Sequence, residues 1–253
     1  MRDLARAVGT GIAGSRAAGV TGGPGQWSAL LIHGAGGGGW EWRIWQGVWQ
    51  AHGLNVHAPD LQPAPEGLAR TGWQHYAAQI RDALAMLPHP RVLVGASLGG
   101  LLAASHAGAA DALIAVNPLP PAPLHRRLPP RQWPDVVPWG MQARLFSTRQ
   151  AMPDADDATA LFAFRHWRDE SGAVMRMAAA GIDVPAPACP VLVIASTRDD
   201  DVPPALSREQ AAVWQADFLQ SPAGSHVGPL LGDSAAGTAA QAVAWVNRLA
   251  VAG

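Results

Sequence analysis

A serine hydroxyl is a poor nucleophile at neutral pH. It needs a base to take its proton and a carboxylate to orient that base. Residues of all three types occur here in a suggestive order. Gly95-Ala96-Ser97-Leu98-Gly99 has the pattern G-x-S-x-G. Downstream, "VLVIASTRDDDVPP" (191–204) offers Asp199, Asp200 and Asp201, and "SPAGSHVGPL" (221–230) offers His226, the only histidine after His166. Together they could support covalent acyl transfer. In a chain with 28 glycines the serine pattern alone is weak. Its context, an apolar run before and a helical pattern after, gives it weight, because a sharp strand-to-helix turn strains the serine backbone and lifts the hydroxyl above the sheet.

The elements that must position these residues can be read from periodicity. Short apolar runs predict strands over 27–34, 54–61, 91–97, 112–118, 190–196 and 217–222. Helical spacing predicts helices over 41–53, 73–87, 98–108, 204–216 and 234–251. Near-continuous apolar strands alternating with helices imply an α/β fold, a mostly parallel sheet covered on both faces. Chemistry in such sheets gathers at the carboxyl ends of the strands. Ser97, the aspartates and His226 all fall in loops at those ends.

A second loop of this kind is "HGAGGGGWEW" (33–42). It has no G-K-[ST] ending, and the chain has no lysine to meet a phosphate, which argues against nucleotide binding. Backbone amides aimed at a developing oxyanion suit it better. One such donor is the amide after the nucleophile, Leu98. His33 reads as a buried histidine bracing the loop. The tryptophans from Trp40 to Trp49 read as helix packing, with Trp40, on the loop itself, the exception.

At this point the chain resembles the α/β-hydrolase family over roughly residues 27–250. The resemblance implies an α/β-hydrolase core over 27–118 and 184–253, a cap inserted at 119–183 and a loosely ordered Gly/Ala-rich lead-in at 1–26. The family's acid precedes "V-P" in a D-x-x-V-P sequence, which here selects Asp199, with Asp200 as fallback and Asp201 as a loop charge. The H-G-x pattern implies Ala35 as the second oxyanion donor, helped by Gly36. Gly34, Trp40, Trp133, Trp139 and Phe164 are expected to contact substrate, the aromatic residues by roofing an apolar acyl pocket. The short cap points to a small or medium substrate. Three departures stand out: Ala96 where the family often has histidine, "LQPAPEG" after Asp60 in place of a Gly-His-Gly-like turn, and no evident first strands before Trp27.

Composition narrows the remaining classes. The formal charge is −1, so no electrostatic case exists for nucleic acid or an anionic membrane. The single cysteine, Cys189, precludes an internal disulfide or a cysteine-based zinc site and reads as a buried structural thiol. No apolar stretch is long enough to span a bilayer. The expectation is a cytoplasmic monomer or homodimer, a cofactor-free and metal-free serine hydrolase cleaving a small-molecule ester or thioester. Acyltransferase, lyase or C–C hydrolase chemistry on the same site, or a small-molecule sensor on the same scaffold, are the alternatives.

Overall fold

The computed structural model describes residues 26–252. The lead-in expected at 1–26 lies, except for Gln26, outside the described residues, and so does the stretch before Trp27 in which no first strands are evident from the sequence. In chain order the strands are β1 (Ser28–Ile32), β2 (Asn55–His57), β3 (Arg91–Ala96), β4 (Ala112–Val116), β5 (Val136–Val137), β6 (Glu170–Ser171), β7 (Val191–Ser196) and β8 (Asp217–Ser221). The helices are α1 (Arg43–Ala51), α2 (Trp73–Ala85), α3 (Leu98–Ala104), α4 (Leu145–Ala151), α5 (Asp157–His166), α6 (Gly172–Ala180), α7 (Pro204–Val213), α8 (Gly228–Leu231) and α9 (Ala235–Ala252).

Among the described residues the main sheet has six strands in the order β2-β1-β3-β4-β7-β8, all parallel. The chain starts near the middle, runs to one edge, returns across β1 to β3 and then proceeds to the other edge. This reversal brings the carboxyl ends of β1 and β3 side by side, with Ile32 paired to Gly95. The loop after β1 and the turn carrying Ser97 are therefore neighbours by topology.

Both faces of the sheet are covered, as continuous apolar strands require. Alternate residues of β1 and β3 point to opposite sides. Leu31, Val92 and Val94 join one cluster with Trp42, Trp45, Trp49 and α9 residues such as Val243. Leu30, Ile32 and Leu93 join the other, with Ile80 of α2 and Leu101 of α3. Trp45 and Trp49 are fully buried, and each indole N–H donates to a carbonyl, of Pro229 and Ala239 respectively. The tryptophan-rich α1 is therefore a core helix with satisfied ring nitrogens. Cys189 is half-buried rather than buried. It packs at the edge of the second cluster, and burial pushes its thiol up, away from the reactive thiolate.

Between β4 and β7 the alternation gives way to short elements. The two-residue strands β5 and β6 form a small antiparallel ladder, followed directly by α6, while α4 and α5 pack on each other. None of the described helices is long and apolar enough to cross a membrane.

Candidate active site

Ser97 sits between β3 and α3 with φ 52 and ψ −119, a backbone conformation that non-glycine residues rarely adopt. The flanking glycines have a direct steric reason. A Cβ at Gly95 would run into the carbonyl of Gly99, and one at Gly99 into the carbonyls of Ile32 and His33. The turn is that tight because α3 begins immediately over the β1 and β3 ends. The Ser97 amide is tied to the Val116 carbonyl, and its own carbonyl accepts from Gly100, Leu101 and Leu119, so the strained residue is held from several sides.

His226 lies in the loop between β8 and α8. Its Nδ1 is 2.7 Å from Asp199 Oδ2. The Asp199 side chain is fully buried, and its Oδ1 accepts the amides of Asp201 and Val202, so both oxygens are engaged. Asp199 is thus the aspartate that meets the histidine, whereas Asp201 pairs with Arg131 at the surface. Burial pulls the His226 imidazole towards its neutral form. The Asp199 hydrogen bond and the charges of Asp199, Asp201 and Glu41 outweigh that, and the imidazole titrates above its ordinary value.

Ser97 and His226 line one cavity of about 910 Å³, although the two side chains are not hydrogen-bonded to each other here. Gly34, Ala35, Gly36, Ala96, Trp133 and Trp139 share its wall. The backbone amides of Ala35 and Leu98 donate to no protein acceptor among the described residues. The Gly36 amide differs from expectation: it donates to Glu170 Oε2 at 3.2 Å and is already engaged. Two aromatic expectations also need correcting. Trp40 packs edge-on against Phe162 and Trp167, away from the cavity, and Phe164 lies outside the lining as well. Ring contacts with Phe162, His166 and Trp167 hold Trp40 outside the lining. Leu119, Val137, Trp167, Met175 and Leu230 take up the apolar lining. The loop after Asp60 contributes no lining. Its Leu61 amide donates to His33 Nε2, while His33 Nδ1 contacts the Gly34 carbonyl. His33 therefore braces the loop in its neutral form. Burial, with the Arg168 charge adding to it, lowers it to about 4 against the Gly34 hydrogen bond.

Four polar residues around the site escaped the sequence reading. Asn117, at the end of β4 with φ 42, donates to the His226 carbonyl at 2.6 Å and to Ser196 Oγ at 2.8 Å. Asp154 accepts from the Gly224 amide at 2.7 Å and the Ser225 hydroxyl at 2.6 Å, clasping the loop that carries His226. Glu170, besides Gly36, takes the Tyr76 hydroxyl at 2.6 Å. Glu41, in the 3-10 turn Gly39–Trp42, is buried, accepts the Gly34 amide at 3.1 Å and lines the cavity. A lone acid in a run of glycine and tryptophan was the one signal that could have marked Glu41. Asn117 and Asp154 sit in unremarkable loops, and Glu170 in the two-residue strand β6, too short to show a periodicity. Among the described residues no group of three His, Cys, Asp or Glu side chains is placed to hold a metal ion.

Comparison with known proteins follows the same lines. The family model described as "Alpha/beta hydrolase family" matches residues 29–241. Among solved structures, tomato methylketone synthase I is similar at 14% identity and a TM-score of 0.71, covering 88% of this chain and 98% of its own. A pyrethroid hydrolase from Sphingobium faniae JZ-2 is similar at 23% identity and a TM-score of 0.65, covering 86% of this chain and 95% of its own. A methylesterase from Arabidopsis is similar at 15% identity and a TM-score of 0.67, covering 87% of this chain and 98% of its own. At these identities the likeness is one of fold. No curated protein sequence matches the chain significantly.

Proposed function

The chain belongs to the alpha/beta hydrolase family, and from that premise we propose that it is a cofactor-independent serine hydrolase cleaving a carboxylic ester or thioester. The observation that carries this reading is the 2.7 Å contact between Asp199 and His226, with His226 and Ser97 lining one cavity. Ser97 Oγ attacks the acyl carbon while His226 Nε2 takes its proton. The amides of Ala35 and Leu98 receive the negative oxygen of the tetrahedral intermediate. The imidazolium then gives its proton to the leaving alcohol or thiol as the carbon–oxygen or carbon–sulfur bond breaks. Water, deprotonated by His226, attacks the acyl-enzyme, and Ser97 departs with the proton. Asp199 holds His226 in the tautomer with Nδ1–H and stabilises its cationic form.

Residues 119–183 act in this reading as the cap. The cavity volume and the lining by Trp133, Trp139, Val137 and Met175 favour a bulky apolar acyl or alcohol group. That is larger than a short cap suggests. The similarity to a methylesterase also points towards esters. The enzyme is read as a cytoplasmic monomer or homodimer.

The test is turnover of a panel of p-nitrophenyl esters and thioesters of graded size, together with labelling by a fluorophosphonate. Hydrolysis with the label on Ser97 is the expected result. Well-folded protein showing neither turnover nor label overturns the reading. Product analysis separates hydrolysis from acyl transfer to an added alcohol or from lyase chemistry.

A further inference from the structure

Glu41 has no part in the scheme above, yet its carboxyl stands beside the reacting groups. A Cβ built on Gly34 would lie 3.4 Å from Ser97 Cβ on one side and 3.9 Å from Glu41 Oε2 on the other. Gly34, Glu41, Ser97 and His226 all line the same cavity. Gly37 covers the carboxyl so closely that a Cβ there would run into it. One oxygen accepts the Gly34 amide, and no other hydrogen bond to the carboxyl is formed by the described residues. A buried carboxyl with a single neutral partner is costly unless it does something for its surroundings.

We propose that Glu41 is a positioning residue of this site: its carboxyl fixes the Gly34 amide, and with it the loop bearing Ala35, while its negative charge favours the protonated form of His226 across the cavity. The proposal rests on the reading of Ser97 and His226 as nucleophile and base. It adds a second carboxylate to the one supplied by Asp199, this one on the cavity lining.

The groups facing Glu41 come from several elements. His226 faces it from the loop after β8 and Arg168 from the segment just before β6, both favouring its ionised form, as does the Gly34 amide. His33, just after β1, is hydrogen-bonded to the carbonyl of the same residue, Gly34, and stays neutral. Burial opposes all of them and raises Glu41 to about 7. The His226 imidazole in turn faces Asp199 and Asp201 as well as Glu41. The charge state of each group therefore affects the other.

Glu41→Gln keeps an oxygen for the Gly34 amide and removes the charge. Two titrations followed by NMR on the full chain read the coupling directly, without any need for turnover. The His226 ring is expected to titrate at lower pH in Glu41→Gln than in the wild type. Reciprocally, the Glu41 carboxyl carbon, one of only four glutamate signals, is expected to titrate at higher pH in His226→Gln, because linkage between two sites is symmetrical. The acid limb of kcat/KM should move to lower pH in Glu41→Gln, in step with the ring. Failure of either titration to move overturns the proposal. If Glu41→Gln does not fold, the His226→Gln arm decides alone. Absence of ester turnover with both titrations shifted would sink the hydrolase reading and leave the coupling standing. Normal turnover with neither shifted would do the reverse.

Discussion

The Asn117 side chain donates to the backbone carbonyl of His226 at 2.6 Å while its oxygen accepts the Ser196 amide at 2.8 Å. An asparagine that cannot act as a carboxylate thus fastens the histidine loop to the ends of two central strands. Asn117→Ala leaves the Ser196 amide without its partner, at a cost of about 1–3 kcal/mol. The expected outcome is a lower denaturation midpoint and a kcat reduced about tenfold, a barrier increase of about 1.4 kcal/mol, with KM little changed. Denaturant titration and steady-state kinetics check both.

Ser97→Ala is expected to lower kcat by about 10⁴-fold or more and to abolish fluorophosphonate labelling. The Ser97 hydroxyl makes no hydrogen bond to another described residue, so thermal stability should hardly move. Circular dichroism during a thermal ramp, run beside the assay, tests the pair of expectations.

Asp199→Asn should cost roughly 10³–10⁴ in kcat, because an amide at Nδ1 stabilises the wrong tautomer of His226. Asp200→Asn and Asp201→Asn should fall within a few-fold of the wild type, since only Asp199 meets the imidazole. A large loss in either neighbour, with Asp199→Asn active, would reassign the acid.

The folded state of Glu41 holds its proton more tightly than an ordinary glutamate, about 7 against 4.5. Its contribution to stability is therefore present below pH 4.5 and lost as pH rises through 7. The difference is worth on the order of 3 kcal/mol. Glu41→Gln removes this loss, so the variant should gain on the wild type between pH 4.5 and 8. His33, at about 4 against 6.5, acts in the opposite sense, contributing above pH 6.5 and losing that as pH falls towards 4. Urea midpoints of wild type and variant at matched pH isolate the Glu41 component from the His33 one.

Trp139 meets Trp133 edge-on, with centroids 5.8 Å apart, on the cavity wall. Trp139→Ala should raise KM for bulky aromatic esters about tenfold, or 1.4 kcal/mol of lost contact. An acetate ester, with little apolar surface to lose contact, should be affected much less. Equal losses on both substrates would mean that the change acts through the fold.

The sheet and its carboxyl-end loops were legible in the sequence because each has a local cause. The apolar run 91–97 became β3, ending at Ala96, and Gly95 and Gly99 announced a turn that their carbonyl contacts explain. Element ends shifted where the backbone had a reason to stop. The strand read over 54–61 retains only Asn55–His57, because β2 pairs on one side only among the described residues and Asp60 and Leu61 turn away to bond Gly39 and His33. Order along the chain pointed His226 to the run Asp199–Asp201, and only the resemblance to the family's D-x-x-V-P pattern singled out Asp199, the residue that meets it. What could not be read is contact between distant loops without periodicity. Gly36 and Glu170 stand 134 positions apart, and Asp154 sits in a stretch of acids that looks like any solvated turn. The same holds for Trp40 and Phe164, whose aromatic character was plain but whose direction depends on packing partners elsewhere.

Three side chains from the 119–183 segment reach down past the cavity. Glu170 holds Gly36, Arg168 donates to the Leu61 carbonyl, and Asp154 grips Gly224 and Ser225. In the proposed reading of this segment as a roof, it is thus riveted to the loops after β1, β2 and β8 instead of resting on them. Transplanting a foreign roof to change selectivity would pull out these rivets together, so a successful chimera has to import matching anchors at 154, 168 and 170 or redesign the floor along with the ceiling.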